Sequence, residues 1–231
     1  MSVGITFTAT AIFDEKYNPK PSSFYIPEWY KKMESYKDNN KNLKLLDNRT
    51  MATIKKCIPV YDSITAGYII ELQQDVYVEV INHETNFKWV SPNPAVVFHP
   101  SWQAPNHPRS QNVDFPKFLN YWGIRTPKNY SCLFLQPFHR ESPFTIFPGV
   151  VDTDKFYNPV NFPFMMNDKN WEGIIPAGTP IAQVIPFRRD SYKIKFGEEA
   201  QEKEMEKNLL PIFSNFYNVY KNFFWVKKEY K

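Results

Sequence analysis

Cysteine is nearly absent from this chain of 231 residues: Cys57 and Cys132 are the only two, and no CxxC spacing joins them. That excludes a disulfide framework and a cysteine-based zinc site as the source of the fold, and it leads to the expectation of a reducing compartment, the cytoplasm. Glycine is scarce too, at 7 residues, which leaves little room for a glycine-rich phosphate loop. The chain has 4 histidines. His83, His99, His107 and His139 never fall at the spacing of a helical zinc pair, so no metal is expected from them. Long apolar runs are missing: no window of about 18 residues is apolar enough for a membrane helix. The first residues show no basic region followed by an apolar run and a small-residue cleavage site, so neither export nor membrane contact is expected. Charge of one sign is lacking as well. The 28 basic and 24 acidic side chains leave a net +4. The excess gathers at Lys221, Lys227, Lys228 and Lys231, too few to mark a nucleic-acid groove.

What the chain does have is aromatic residues, at 17%, and 20 prolines, where proline usually makes up about 5%. Proline blocks helix interiors and aromatics suit half-buried pleated surfaces, so short strands joined by ordered loops are expected. A folded chain of this length buries about 70% of the surface its unfolded form exposes, so its core needs no cofactor. The reading is one mainly β domain over residues 1–231, with a β core at about 50–196 and a C-terminal helix at about 198–222.

Alternation of apolar residues predicts strands over 1–13, 54–60, 67–72, 76–81, 130–136, 145–151, 161–166, 180–187 and 192–196. Gln73-Gln74-Asp75 reads as a tight reversal making a hairpin of two of them. Ile26-Pro27-Glu28-Trp29-Tyr30 predicts a short helical turn, since proline is preset for a first helical turn. Residues 91–128 carry seven prolines and read as one long loop, its Trp102 and Trp122 the expected anchors of an interface. After Glu198 the period lengthens: Met205, Leu209, Ile212, Phe216, Tyr220 and Phe223 recur at three and four residues, predicting a helix bent at Pro211.

Asp152 and Asp154 stand two apart, which on extended chain places both carboxylates on one face, about 7 Å apart. Such a pair can hold a divalent ion or activate water; aspartates after a strand also cap turns through backbone amides. Ser131 and Ser110 lack the context of a nucleophile elbow. Gly149 and Gly178 read as turn residues, Val150, Val151, Ile181 and Val184 as core, and Gly149–Asp154 and Gly178–Gln183 as two consecutive core strands.

Gly149-Val150-Val151-Asp152-Thr153-Asp154, followed by Gly178-Thr179-Pro180-Ile181-Ala182-Gln183, resembles the third and later motifs of the dUTPase-like β-barrel superfamily. Thr65-Ala66-Gly67-Tyr68 looks like its first motif and Pro108-Arg109-Ser110 like its second. The resemblance implies a dUTPase-like β-barrel or jelly-roll-type antiparallel sandwich and a trimeric assembly. It would place a catalytic aspartate at Asp152 with Asp154 beside it, a sugar-stacking aromatic at Phe156 or Tyr157, and phosphate contacts at Arg109 and Ser110. Magnesium is implied only if the chain is an enzyme. The first motif's aspartate is replaced by Ile69, Lys155-Phe156-Tyr157 stands where Tyr-Arg-Gly is usual, and no glycine-rich C-terminal arm follows.

A second resemblance spans most of the chain. Ile26-Pro27-Glu28-Trp29-Tyr30-Lys31, Lys56-Cys57-Ile58-Pro59, Tyr121-Trp122-Gly123-Ile124-Arg125-Thr126-Pro127, Asn161-Phe162-Pro163-Phe164 and Ile175-Pro176-Ala177-Gly178-Thr179-Pro180 are similar to phage- and virus-encoded proteins and a bacterial domain family of no assigned activity. These readings lead to a virus-encoded, non-catalytic β module in the host cytoplasm that binds a protein partner or forms a homo-oligomer. The alternatives are a dUTPase-like nucleotide hydrolase and a structural component of the virion.

Overall fold

A computed structural model describes residues 4–12, 14–45, 51–108, 114–197, 199–213 and 219–231. They group into two compact units, one formed by Met1–Tyr25, Ala66–Arg189 and Tyr230–Lys231, the other by Ile26–Thr65 and Asp190–Glu229. The first unit holds every strand: β1 (Thr6–Ala9), β2 (Lys20–Pro21), β3 (Tyr68–Glu71), β4 (Val76–Ile81), β5 (Glu84–Lys88), β6 (Val96–His99), β7 (Phe115–Phe118), β8 (Trp122–Arg125), β9 (Tyr130–Leu135), β10 (Phe144–Ile146), β11 (Gly149–Val151), β12 (Phe162–Met166), β13 (Gly173–Ile175) and β14 (Pro180–Arg188). The second holds the helices α1 (Glu28–Lys32), α2 (Ile58–Thr65) and α3 (Glu199–Phe213).

The fold class is mainly β, and every paired strand is antiparallel. Among the described residues the ladders form four sheets and not one closed ladder: β11-β9-β14-β3-β2, β10-β12-β7-β6, β13-β4-β5 and β1-β8. Their inner faces share one core. Phe118, Phe144, Phe162 and Phe164 are each at most 1% exposed, and the rings of Phe118 and Phe164 stack 3.9 Å apart. Burying each such ring is worth about 1.5–3 kcal/mol, enough to hold short, proline-interrupted strands together.

Several expectations need correction. Residues 54–60 are no strand: Ile54–Lys56 forms a single helical turn and Ile58 begins α2. Pro59 sits in the first turn of that helix, where its missing donor costs nothing, and Tyr61 and Ile64 continue the three-residue spacing from Ile58. β3 and β4 make no hairpin. All four residues of β3 are buried and it is flanked by β14 and β2, so β4 has no edge to join. The hairpin partner of β4 is β5, which alternation alone did not reveal, as it did not reveal β13.

The stretch 91–128 is not one loop, because it contains β6, β7 and β8. Pro116 disguises β7: it faces Phe98 of β6, and the ladder from β7 to β12 covers only Lys117 and Phe118, so the missing amide is not needed there. Residues 145–151 divide at Phe147-Pro148 into β10 and β11, which belong to different sheets. Gly149 is a strand residue and not a turn, and Val150 is 60% exposed and not core. Gly178, at φ +83, is the turn residue expected, and Ile181 and Val184 are buried. β11 and β14 are separated by β9 and so are not neighbouring strands. Residues 192–196 form no strand and join no ladder. α3 runs through Pro211 to Phe213, and residues 214–218, with the expected Phe216, lie outside the described residues.

Candidate functional site

Asp152 and Asp154 follow β11 in a turn whose middle residue, Thr153, points inward and is 1% exposed. The Thr153 hydroxyl lies 2.8 Å from the Thr126 hydroxyl and donates to Cys132 Sγ at 3.4 Å, which anchors the turn on the core. The carbonyl of Asp152 accepts from the amides of Lys155 and Phe156, both at 2.9 Å. With the backbone fixed in this way, the two carboxylates flank the anchor and turn toward the start of β9 and the end of β14.

Arg189, one residue past β14, lies between them. Its Nη1 is 3.0 Å from Asp152 Oδ1 and 2.8 Å from Asp154 Oδ1, and its Nη2 donates to Asp154 Oδ2 at 2.5 Å. The same Nη1 reaches the Tyr130 carbonyl at 3.2 Å and Ser131 Oγ at 3.1 Å. Ser131 donates to Asp152 Oδ1 at 2.8 Å, and the Asn129 amide donates to Asp154 Oδ2 at 2.8 Å. The Arg189 amide in turn donates to the Asn129 carbonyl at 2.8 Å. One guanidinium fork, two carboxylates, a hydroxyl and two stretches of backbone thus close on one another. Two-point pairing of this kind is the strongest form of the carboxylate–guanidinium contact.

The charges follow the geometry. The Arg189 hydrogen bonds hold the Asp154 carboxyl down at about 2, and the Ser131 hydrogen bond, with Arg189 behind it, lowers Asp152. Side-chain exposure separates the pair, at 4% for Asp154 and 53% for Asp152. A general base works best with a pKa near the working pH, and both carboxylates have been moved away from it. They do not fit a divalent cation either, because the guanidinium already fills the approach they share. Among the described residues no three His, Cys, Asp or Glu side chains gather as a metal group.

The other expected site residues are dispersed. Arg109 and Ser110 lie outside the described residues. Phe156 is 47% exposed and Tyr157 45%. Tyr157 is held in place: its hydroxyl donates to the Asp154 carbonyl at 3.0 Å and the Arg125 guanidinium lies 4.6 Å from its ring centre. Gly123 makes this possible, since a Cβ there would stand 2.5 Å from the Tyr157 carbonyl oxygen. Trp122 is a core residue at 7% exposure, so its burial is accounted for within the chain, while Trp102 is 72% exposed. In the basic tail, Lys228 pairs with Asp62 at 2.7 Å and Lys227 with Glu229 at 2.9 Å.

A second polar group lies at the end of β3. The Glu71 side chain is 10% exposed, its Oε2 accepts no hydrogen bond, and Lys20 Nζ stands 3.9 Å away. Burial raises this carboxyl above the ordinary range, and burial together with the Glu71 charge raises the Tyr25 phenol.

No protein-family model matches the chain, and no curated protein matches it. Among solved structures, a mutant dUTPase from phage phi11 of S. aureus, described with a structural Mg(II) ion, is 14% identical over 58% of this chain and 84% of that one, with a TM-score of 0.32. A likeness of that size is too slight to bear on fold or activity. The strands and the site define the class on their own: an antiparallel, mainly β protein whose most prominent polar cluster is a closed Asp–Asp–Arg network. No helix among the described residues is long and apolar enough to cross a membrane.

Proposed function

We propose that this chain is a virus-encoded, non-catalytic β module that acts by binding a protein partner or by assembling with itself. The observation that carries this reading is the closed network of Asp152, Asp154 and Arg189. The groups on which any hydrolytic reading depends are committed to one another and held as weak bases. Open apolar surface supports the same reading: Phe98 at 49% and Trp102 at 72% exposure lie within five residues of each other. Aromatic side chains are enriched at interaction surfaces.

A thermal-shift screen tests the proposal. A ligand that binds only the folded state raises Tm, by about 2.7 kcal/mol of added stability at a hundredfold excess over Kd. Nucleoside triphosphates and diphosphates, each with and without magnesium, are expected to leave Tm unchanged. A nucleotide-dependent rise that disappears in Asp152→Asn would overturn the proposal in favour of a nucleotide enzyme.

A further inference from the structure

Beyond β14 the chain continues over residues 190–197 without regular secondary structure. Tyr192, Ile194 and Phe196 alternate there with Lys193 and Lys195 and are 86%, 84% and 92% exposed. Residues 191–197 belong to no strand ladder among the described residues. Strict alternation of large apolar and charged residues is the pattern of a strand with one buried face. This segment therefore has the sequence of a strand, and its large apolar side chains are exposed.

The first unit carries a complement to it. β5 is an edge strand, paired only with β4, so alternate amides and carbonyls along it point outward. On one side of that edge Phe87 meets Phe98 at 5.9 Å, and Phe98 is 49% exposed. On the other side lie Glu84 and, opposite Asn86, Glu79. Glu79 is already paired with Lys88 at 2.6 Å, whereas Glu84 is exposed and has no counterion among the described residues. The five residues of β5 match the length of the alternating row from Tyr192 to Phe196.

We propose that residues 191–196 are donated as a β-strand to the β5 edge of a second copy of this chain. Tyr192, Ile194 and Phe196 cover the Phe87–Phe98 side, and Lys193 and Lys195 lie on the side of Glu84. A second copy is the occupant because donor and acceptor are both present in this one sequence, matched in length, in apolar face and in sign of charge. The inference rests on the assembly form of the function proposed above.

Sedimentation velocity of the full chain over a range of concentrations tests it. The wild-type chain associates as concentration rises. Ile194→Lys removes the donor and Phe98→Lys the acceptor, and each variant sediments as a monomer with unchanged circular dichroism. Mixed in equal amounts, the two variants recover a dimer, because one keeps the acceptor and the other the donor. Association that survives Ile194→Lys overturns strand donation while leaving the assembly reading intact. A wild-type chain that is monomeric at every concentration overturns donation, and with it self-assembly. A mixture of variants that stays monomeric overturns the pairing with β5.

Discussion

Gly67 holds φ at +68, and a Cβ there would stand 1.9 Å from the Val184 carbonyl oxygen of β14, the middle strand of its sheet. Neither the strain nor the clash can be relieved by a side chain moving aside. Gly67→Ala is expected to cost at least about 2 kcal/mol, read as a lower midpoint in urea unfolding. Glu71 carries a different liability. Its raised carboxyl binds a proton more tightly in the folded chain than in the unfolded one, so the folded state loses stability as pH rises from the unfolded value of about 4.3 through the raised one. Glu71→Gln keeps the shape and removes the charge, and at neutral pH it should raise Tm by about 2–4 °C. At this scale the sequence was partly legible. Ala66-Gly67-Tyr68 stood out as a motif, but nothing in one dimension shows that Glu71, at the end of a strand buried along its length, is covered on both sides.

The hairpin of β4 and β5 turns at Asn82 and His83, with φ of 53° and 67°, the two positive values of a type I′ turn. Asparagine tolerates the first position; histidine at the second carries the left-handed penalty that glycine avoids. His83→Gly should stabilise the hairpin by about 0.5–1 kcal/mol, seen as slower amide exchange across β4 and β5. Elements with clean alternation were legible: β4 was expected over its observed residues, and β9, β12 and β14 to within a residue or so. The misses have separate causes. Pro116 broke the pattern over β7, alternation carried the reading of 145–151 straight through Pro148, where the chain passes from β10 to β11, and β13 is three residues long. Periodicity cannot register a strand that short. At 54–60 the even spacing of Ile54, Ile58 and Val60 fits alternation, whereas the helix follows Ile58, Tyr61 and Ile64 at three-residue spacing.

At the scale of the molecule, the mainly β class followed from abundant proline and aromatics, whereas the arrangement of sheets depends on contacts between distant segments. The candidate site divides in the same way. Asp152 and Asp154 were legible as a pair, and Asp154 accepts a backbone amide, though that of the distant Asn129 and not one of its own turn. Arg189 was not, because it lies 35 residues beyond Asp154 and meets it only once β14 has paired with β9 from Gln183 to Arg188. The signal was available in principle: an arginine just past the end of a long strand, with Asn129 and Ser131 at the start of another among the residues it could reach.

The most direct test is a double-mutant cycle on Arg189 and Asp154, read as Tm from pH 2 to 7. Asp154 is depressed to about 2 in the folded chain from about 3.9 when unfolded, so its contribution is complete above about pH 4 and lost as pH falls toward 2. If the aspartates are a structural lock, Asp154→Asn and Arg189→Gln each lower Tm at pH 7, the double variant is less destabilised than the sum of the two, and the coupling shrinks as pH falls to 2. If instead Asp154→Asn raises Tm, as neutralising a strained catalytic carboxylate tends to do, and the two substitutions are simply additive, the account of this site as a structural lock is contradicted.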